Sequence, residues 1–267
     1  MTLMPPQDEA ELRQAVELLE QNQFVTRLAG LVGRTAGALA SHIPAMARDA
    51  AIGLAQGALV RACDVALASA RRSGVGWLDR LSASDGFHKV TVVATGIGGG
   101  LLGLPGAAIE LPATTTLMLR SIVQIALVEG EDPADPEMRA ECLKVFALGG
   151  PSGGEDDAES GYWMTRIALA EAIGGFGGRA LGDMLPRLIA PVAARFGLPV
   201  GLKLSAQALP VVGAAGGAMV NLAFTDHFQS KARGHFIVRR LERAHGRAAV
   251  RARYDTLRQE WLATRPR

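Results

Sequence analysis

Two stretches of this chain, Val90 to Ile109 and Leu204 to Thr225, run for 20 and 22 residues without a charged side chain. A segment of that kind must be sealed inside a protein core or placed in lipid, because water gives it nothing to face. Its residues also choose the element. Nearly half of the chain is apolar but only 5% is aromatic, so the apolar content is mostly Ala, Leu, Val and Ile. Alanine and leucine lose little side-chain entropy in a helix. We therefore read an all-α chain, a single helical domain over residues 1–267 with the two glycine-rich segments packed together at its centre.

Thirty-two glycines is a heavy load for helices. Each weakens an isolated helix by roughly 1 kcal/mol relative to alanine. Small residues four apart also form a groove that lets another backbone come close. The pairs Gly33/Gly37, Gly53/Gly57, Gly96/Gly100, Gly99/Gly103, Gly174/Gly178, Gly178/Gly182 and Gly213/Gly217 have that spacing, so close packing is the expected return for the weakness. Membrane spanning is the competing account. It is disfavoured because Val90 to Ile109 holds six glycines and two threonines, and because Glu110 and Arg120 interrupt the residues just after it. A charge at mid-bilayer costs about 2.5–3.5 kcal/mol on insertion scales.

Helix signals organise the rest. Pro5-Pro6 precedes a helix from near Asp8, whose Leu12, Ala15, Val16 and Leu19 recur at helical spacing. A second helix is expected from Ser41 to Arg72, followed by a loop to Ser84. Thr114 to Glu129 and Asp135 to Gly149 are the next two, and residues 151–161 form an acidic glycine-rich loop. Helices over Tyr162 to Leu181 and Asp183 to Phe196 come next. A basic helical pair over residues 228–263, broken near Gly246, closes the chain, with Val250, Tyr254, Leu257 and Trp261 as an apolar stripe beneath arginines.

Charge is unevenly spread behind a net +2. Glu129 to Ser160 holds ten acids against Arg139 and Lys144, while from His227 onward eleven Lys or Arg face Glu242, Asp255 and Glu260. Such asymmetry marks either a basic face for an anionic membrane surface or membrane protein, or two regions that neutralise each other in the fold. Arg239, Arg240, Arg243, Arg247 and Arg251 are the candidates for the membrane-facing group. Two cysteines, Cys63 and Cys142, make no disulfide framework, and Met1 to Glu11 lacks the basic and apolar parts of a signal peptide. We expect a cytoplasmic protein, peripheral at the inner membrane, with no nucleic-acid partner.

Cofactor and catalytic motifs fail on context. Gly98, Gly100 and Gly103 fit a dinucleotide fingerprint, but Pro105 and Pro112 sit where the crossover helix belongs and no alternating strands come after them. Gly150-Pro-Ser152-Gly-Gly154 has the letters of a nucleophile elbow without the preceding strand. Asp226, His227, His235 and Glu242 could be drawn together as a metal site, yet two turns separate the histidines, so no metal is assigned. No nucleotide or other cofactor is expected. His88, Glu110, Arg120 and Glu129 flank apolar stretches, where a buried Glu–Arg pair fixing helix register is the conservative account. A polar site between helices is the sharper one.

At these residues the chain resembles the EcsC protein family. The resemblance is carried by Gly96 to Gly106, Glu110-Leu-Pro112, Thr115, Thr116, Leu119-Arg120, Ile125-Ala126, Glu129-Gly-Glu-Asp132 and Phe146-Ala-Leu-Gly-Gly150. It continues through Gly161-Tyr162, Arg166, Arg195-Phe-Gly197, Pro210-Val-Val-Gly-Ala214, Gly216-Gly217, Asn221, Phe224, Asp226-His227, Gly234-His-Phe236 and Arg240-Leu-Glu242, within a core of residues 41–246. The resemblance implies a bacterial, mostly helical protein associated with membranes or transport machinery, and it brings no catalytic residues. It raises Glu110, Arg120, Glu129, Asp226 and His227 as places to look for function, with His88 and His235 beside them. A non-enzymatic membrane-associated accessory is the leading function, ahead of a hydrolase-type enzyme with a polar site between helices and of a membrane-spanning glycine-zipper hairpin.

Overall fold

A computed structural model describes residues 4–21, 23–32, 45–72, 110–150, 161–173, 181–207 and 213–264. Every regular element among them is an α-helix: α1 (Pro6–Glu20), α2 (Gln23–Val32), α3 (Ala45–Arg72), α4 (Glu110–Val128), α5 (Pro136–Leu148), α6 (Gly161–Ile173), α7 (Leu181–Gln207), α8 (Gly213–His245) and α9 (Arg247–Ala263). Local chemistry explains several ends. Pro6 opens α1 where a missing N–H costs nothing, and Asp8 and Glu9 meet the positive end of its dipole. The Asp135 carboxylate accepts the Glu137 N–H at 2.8 Å and caps α5. Gly246, at φ +84°, turns the chain between α8 and α9 where a side chain would be strained.

α8 packs against α1, α2, α5, α7 and α9, while α3 lies on α7. α5 runs antiparallel to α8: His227 meets Gly149, Phe228 meets Phe146, and His235 meets Glu141. α7 is also antiparallel, pairing Lys203 with Phe224 and Phe196 with Phe228. α1 runs the same way, from Lys231 near Leu19 to His245 at Asp8. α4 lies parallel, from Asn221 at Glu110 to Gln229 at Ser121. The main core joins α2, α3, α4, α5, α7 and α8 around Phe24, Phe146, Phe196, Phe224 and Phe228. A second core, under α1 and α9, gathers Leu12, Val16, Tyr162, Trp163, Val238, Tyr254 and Leu257.

Two expectations are corrected. α7 does not stop at Phe196 but continues through Gly197, Pro199 and Gly201, because Phe196, Val200 and Leu202 are buried along one course. The Gly53/Gly57 pair makes no close approach: a Cβ on either would meet nothing within 4 Å. Close approach falls instead to Gly149 against Phe228, Gly197 against Ile52 and Gly234 against Leu19 and Ala15. Among the described residues, the helices long and apolar enough to cross a membrane are Glu110–Val128 and Arg187–Ala206. Leu204 to Thr225 is divided between the end of α7 and the start of α8, with 208–212 undescribed. Val90 to Ile109, His88 and most of the acidic loop lie outside the described residues, as do the pairs Gly33/Gly37, Gly96/Gly100, Gly99/Gly103 and Gly174/Gly178.

Candidate functional site

α8 carries a line of polar side chains into the core. His227, Lys231, His235 and Arg239 recur every four residues and are all buried, with Asn221 one and a half turns before them and Glu242 just after. A turn of helix advances by 3.6 residues, so this line winds slowly around α8 and meets a different neighbour at each step. Burial of a polar group is costly unless it is bonded. Each of these finds a partner.

The fullest network centres on His235. Its Nε2 lies 2.9 Å from Glu141 Oε2, and its Nδ1 lies 3.0 Å from the Tyr162 hydroxyl. An ionised carboxylate only accepts, so Nε2 carries the proton and Nδ1 accepts from Tyr162. Arg166 donates to the Tyr162 oxygen at 3.2 Å and forks onto Glu242 at 2.8 and 3.0 Å. Burial pushes the His235 pKa down, which keeps the ring neutral despite Glu141. Burial alone would raise the Glu141 carboxyl, but the His235 hydrogen bond with Lys144 and Arg239 holds it well below the usual range. Burial likewise pushes the Tyr162 hydroxyl and the Cys142 thiol up, so both stay protonated. The result is a tethered donor chain from α6 through α8 to α5.

A second cluster joins α4, α7 and α8. Glu110 Oε1 accepts from Lys203 Nζ at 2.8 Å, Thr114 Oγ1 at 2.8 Å and Asn221 Nδ2 at 2.9 Å. Lys203 is fully buried, and burial lowers its pKa against the pull of Glu110. Its ammonium also lies 5.0 Å from the centre of the Phe224 ring. Glu110 Oε2 and the Thr115 and Thr225 hydroxyls are buried and have no hydrogen-bond partner among the described residues.

The residues singled out in the sequence do not form one site. Glu110 is buried, but its cation is Lys203 rather than Arg120, which is exposed on α4. Asp226 pairs at the surface with Arg27 at 2.9 Å. His227 turns inward and donates Nε2–H to the Gly149 carbonyl at 3.0 Å; burial, with Lys231 nearby, pushes its pKa down to about 3. Glu129 belongs to the basic face. It accepts from Arg240 at 2.8 Å, and its backbone carbonyl accepts from Arg243 at 2.6 Å. Arg239 forks onto Glu131 at 2.8 and 3.1 Å, and Arg243 also reaches Glu131. The acidic and basic stretches thus face each other through Arg239, Arg240 and Arg243. Arg247 is exposed, and Arg251 stacks 5.8 Å from the Trp163 ring.

Sequence reasoning missed Lys203, Glu141, Tyr162 and Arg166 as site residues. Lys203 had a signal, being the charge that ends one side of the second uncharged segment. Glu141 had none, since its neighbours across α8 are some ninety residues away in sequence. Among the described residues no three metal-ligating side chains come together. Chemically, the two clusters hold fixed protons and one open carboxylate oxygen.

Comparison with known families matches residues 77–241 to the EcsC protein family. That range contains the Glu110 cluster and the Glu141–His235–Tyr162–Arg166 chain, but not α1 or α9. No curated protein and no solved structure matches.

Proposed function

The chain belongs to the EcsC protein family, and from that premise we propose a non-enzymatic accessory of membrane or transport processes that lies on the cytoplasmic face of a bacterial inner membrane. The observation that carries this is α4. It is apolar over Glu110–Val128, yet only 39% of it is buried. Val123, Ile125 and Leu127 pack against the main core but stay partly open, Leu117 is half-covered, and Val128 is 85% exposed. Arg120 is exposed midway along the same helix, where crossing would place it in hydrocarbon. An apolar helix with an outward cation suits the interface plane, where the apolar side sinks among acyl chains and the guanidinium meets headgroups. The other long apolar run, Arg187–Ala206, is 56% buried and is tied to α4 through Lys203, which suits a core helix.

Flotation tests it. Purified protein is expected to rise with vesicles of phosphatidylcholine and phosphatidylserine and to be released by carbonate. Protein that stays at the bottom with every vesicle overturns the proposal. Carbonate-resistant protein instead favours the spanning hairpin.

One observation favours a second reading, an enzyme of the hydrolase type with a polar site between helices. Glu110 Oε2 is an open acceptor among the described residues, on a carboxylate whose other oxygen holds a buried lysine. Screening the protein against ester and phosphoester substrates tests this, with Glu110→Gln as the control that must lose any turnover found.

A further inference from the structure

α1 and α9 lie outside the family-matched range and pack over α8 together. Their charges are opposite. α1 carries Asp8, Glu9, Glu11, Glu17 and Glu20 against Arg13, while α9 carries Arg247, Arg251, Arg253 and Arg258 against Asp255 and Glu260. The pairs between α1 and the C-terminal helices are partly exposed through its first half, where Arg13–Glu260 at 2.9 Å has its charges reversed, and sealed only at its end. At its start, Asp8 meets His245 at 2.6 Å, Glu9 meets Arg253, and Glu11 meets Arg240, all with side chains a quarter to a third exposed. At its end, Glu20 meets Arg258 at 3.1 Å with both sealed, Tyr254 donates to Glu20 at 2.7 Å, and Lys231 donates to the Leu19 and Gln21 carbonyls.

We propose that the N-terminal half of α1 is an acidic strap that covers a basic face made by Arg240 and Arg253, and that an anionic lipid surface displaces it. The proposal rests on the membrane-surface reading and adds its regulation. Charge complementarity identifies the occupant: the strap presents carboxylates to arginines, and a phosphatidylserine surface presents the same chemistry at higher density. The gradation supplies the mechanism. Partly exposed pairs are solvated and exchange readily. The sealed Glu20–Arg258 pair and the Lys231 contacts keep the far end of α1 attached. Leu12, Ala15, Val16 and Leu19 are buried against α8 and α9, so release is confined to the turn or two before them.

The test uses the full chain with two isosteric changes, Glu9→Gln and Glu11→Gln. A control with the same change of charge, Glu17→Gln with Glu171→Gln, touches residues that hold no arginine in the described structure. Arg240 keeps Glu129 and Arg253 keeps Glu260 on one side, so each strap carboxylate removed is expected to tighten binding to phosphatidylserine-containing vesicles by at most about fivefold at low salt. The control should bind as the unmodified chain does. Amide exchange of residues 9–11, whose N–H groups are the first bonded in α1, should speed up on phosphatidylserine vesicles and stay unchanged on phosphatidylcholine alone. If the unmodified chain binds and the strap variant binds no better than the control, the strap is refuted while the membrane reading stands. If exchange of residues 9–11 does not respond to anionic vesicles, the strap is likewise refuted. If neither chain binds, both ideas fall.

Discussion

Lys203 Nζ lies 2.8 Å from Glu110 Oε1, and both side chains are sealed from solvent between α4, α7 and α8. The two residues are 93 positions apart, and the pair pins the start of α4 to the last turns of α7. Asn221 of α8 adds its amide to the same oxygen, so three helices are registered on one atom.

Breaking this pair from one side leaves a buried charge without compensation. Lys203→Met is expected to cost about 3–5 kcal/mol in urea unfolding. Replacing both residues, with Glu110→Leu added, should cost much less than the sum of the single changes. Additive losses would mean that the two charges do not depend on each other.

The glycines separate into two kinds by what a methyl group would meet. At Gly197 a Cβ would sit 2.6 Å from Ile52 Cγ1 and 3.1 Å from its Cα; at Gly234 it would sit 2.7 Å from Leu19 Cγ and 3.1 Å from the Ala15 carbonyl. Alanine at either site should destabilise by about 1–3 kcal/mol, because backbone must move. Gly57→Ala, with open space around it, should stabilise by about 0.5–1 kcal/mol through helix propensity alone. Thermal melts of the three variants check the contrast.

His227 makes stability depend on pH. Its folded pKa, near 3, lies below the ordinary 6.5, so between those values the unfolded chain binds the extra proton. Stability therefore falls as pH drops below about 6.5, by up to roughly 1.4 kcal/mol per unit from this group. Glutamine can donate to the Gly149 carbonyl without titrating. His227→Gln should lose about 1–2 kcal/mol less than the unmodified chain between pH 7 and pH 5, measured by denaturant unfolding. Equal losses would show that His227 is not the titrating group.

Arg239 uses its planar fork on Glu131, with its remaining nitrogen 3.4 Å from both Glu137 and Glu141. Lysine keeps the charge but cannot reach several carboxylates at once. Arg239→Lys is expected to cost about 1–3 kcal/mol. A chain unaffected by that change would reduce the network to plain charge balance.

Much of this was legible in the residues themselves. Helical spacing and terminal signals placed α1 and α5 closely, and the break at Gly246 was visible because a glycine interrupts two periodic runs. α7 was read too short. Gly197, Pro199 and Gly201 look like stops, and only the packing of Phe196, Val200 and Leu202 into the core outweighs them. The Glu–Arg pair expected at Glu110 named the right acid and the wrong cation. Sequence proximity favoured Arg120, whereas α4 turns that residue outward.

The sequence by itself determined that the chain is helical, where its charges are concentrated and which family it resembles, because propensity, capping and composition act over a few residues at a time. Only the tertiary structure decided which opposite charges meet. The basic C-terminal run had two destinations, a foreign surface or the chain's own acids. Long-range packing brings Glu129 and Glu131 onto Arg239, Arg240 and Arg243. It also chose which glycines matter, since close approach depends on the helix opposite, and spacing along one helix says nothing about that partner.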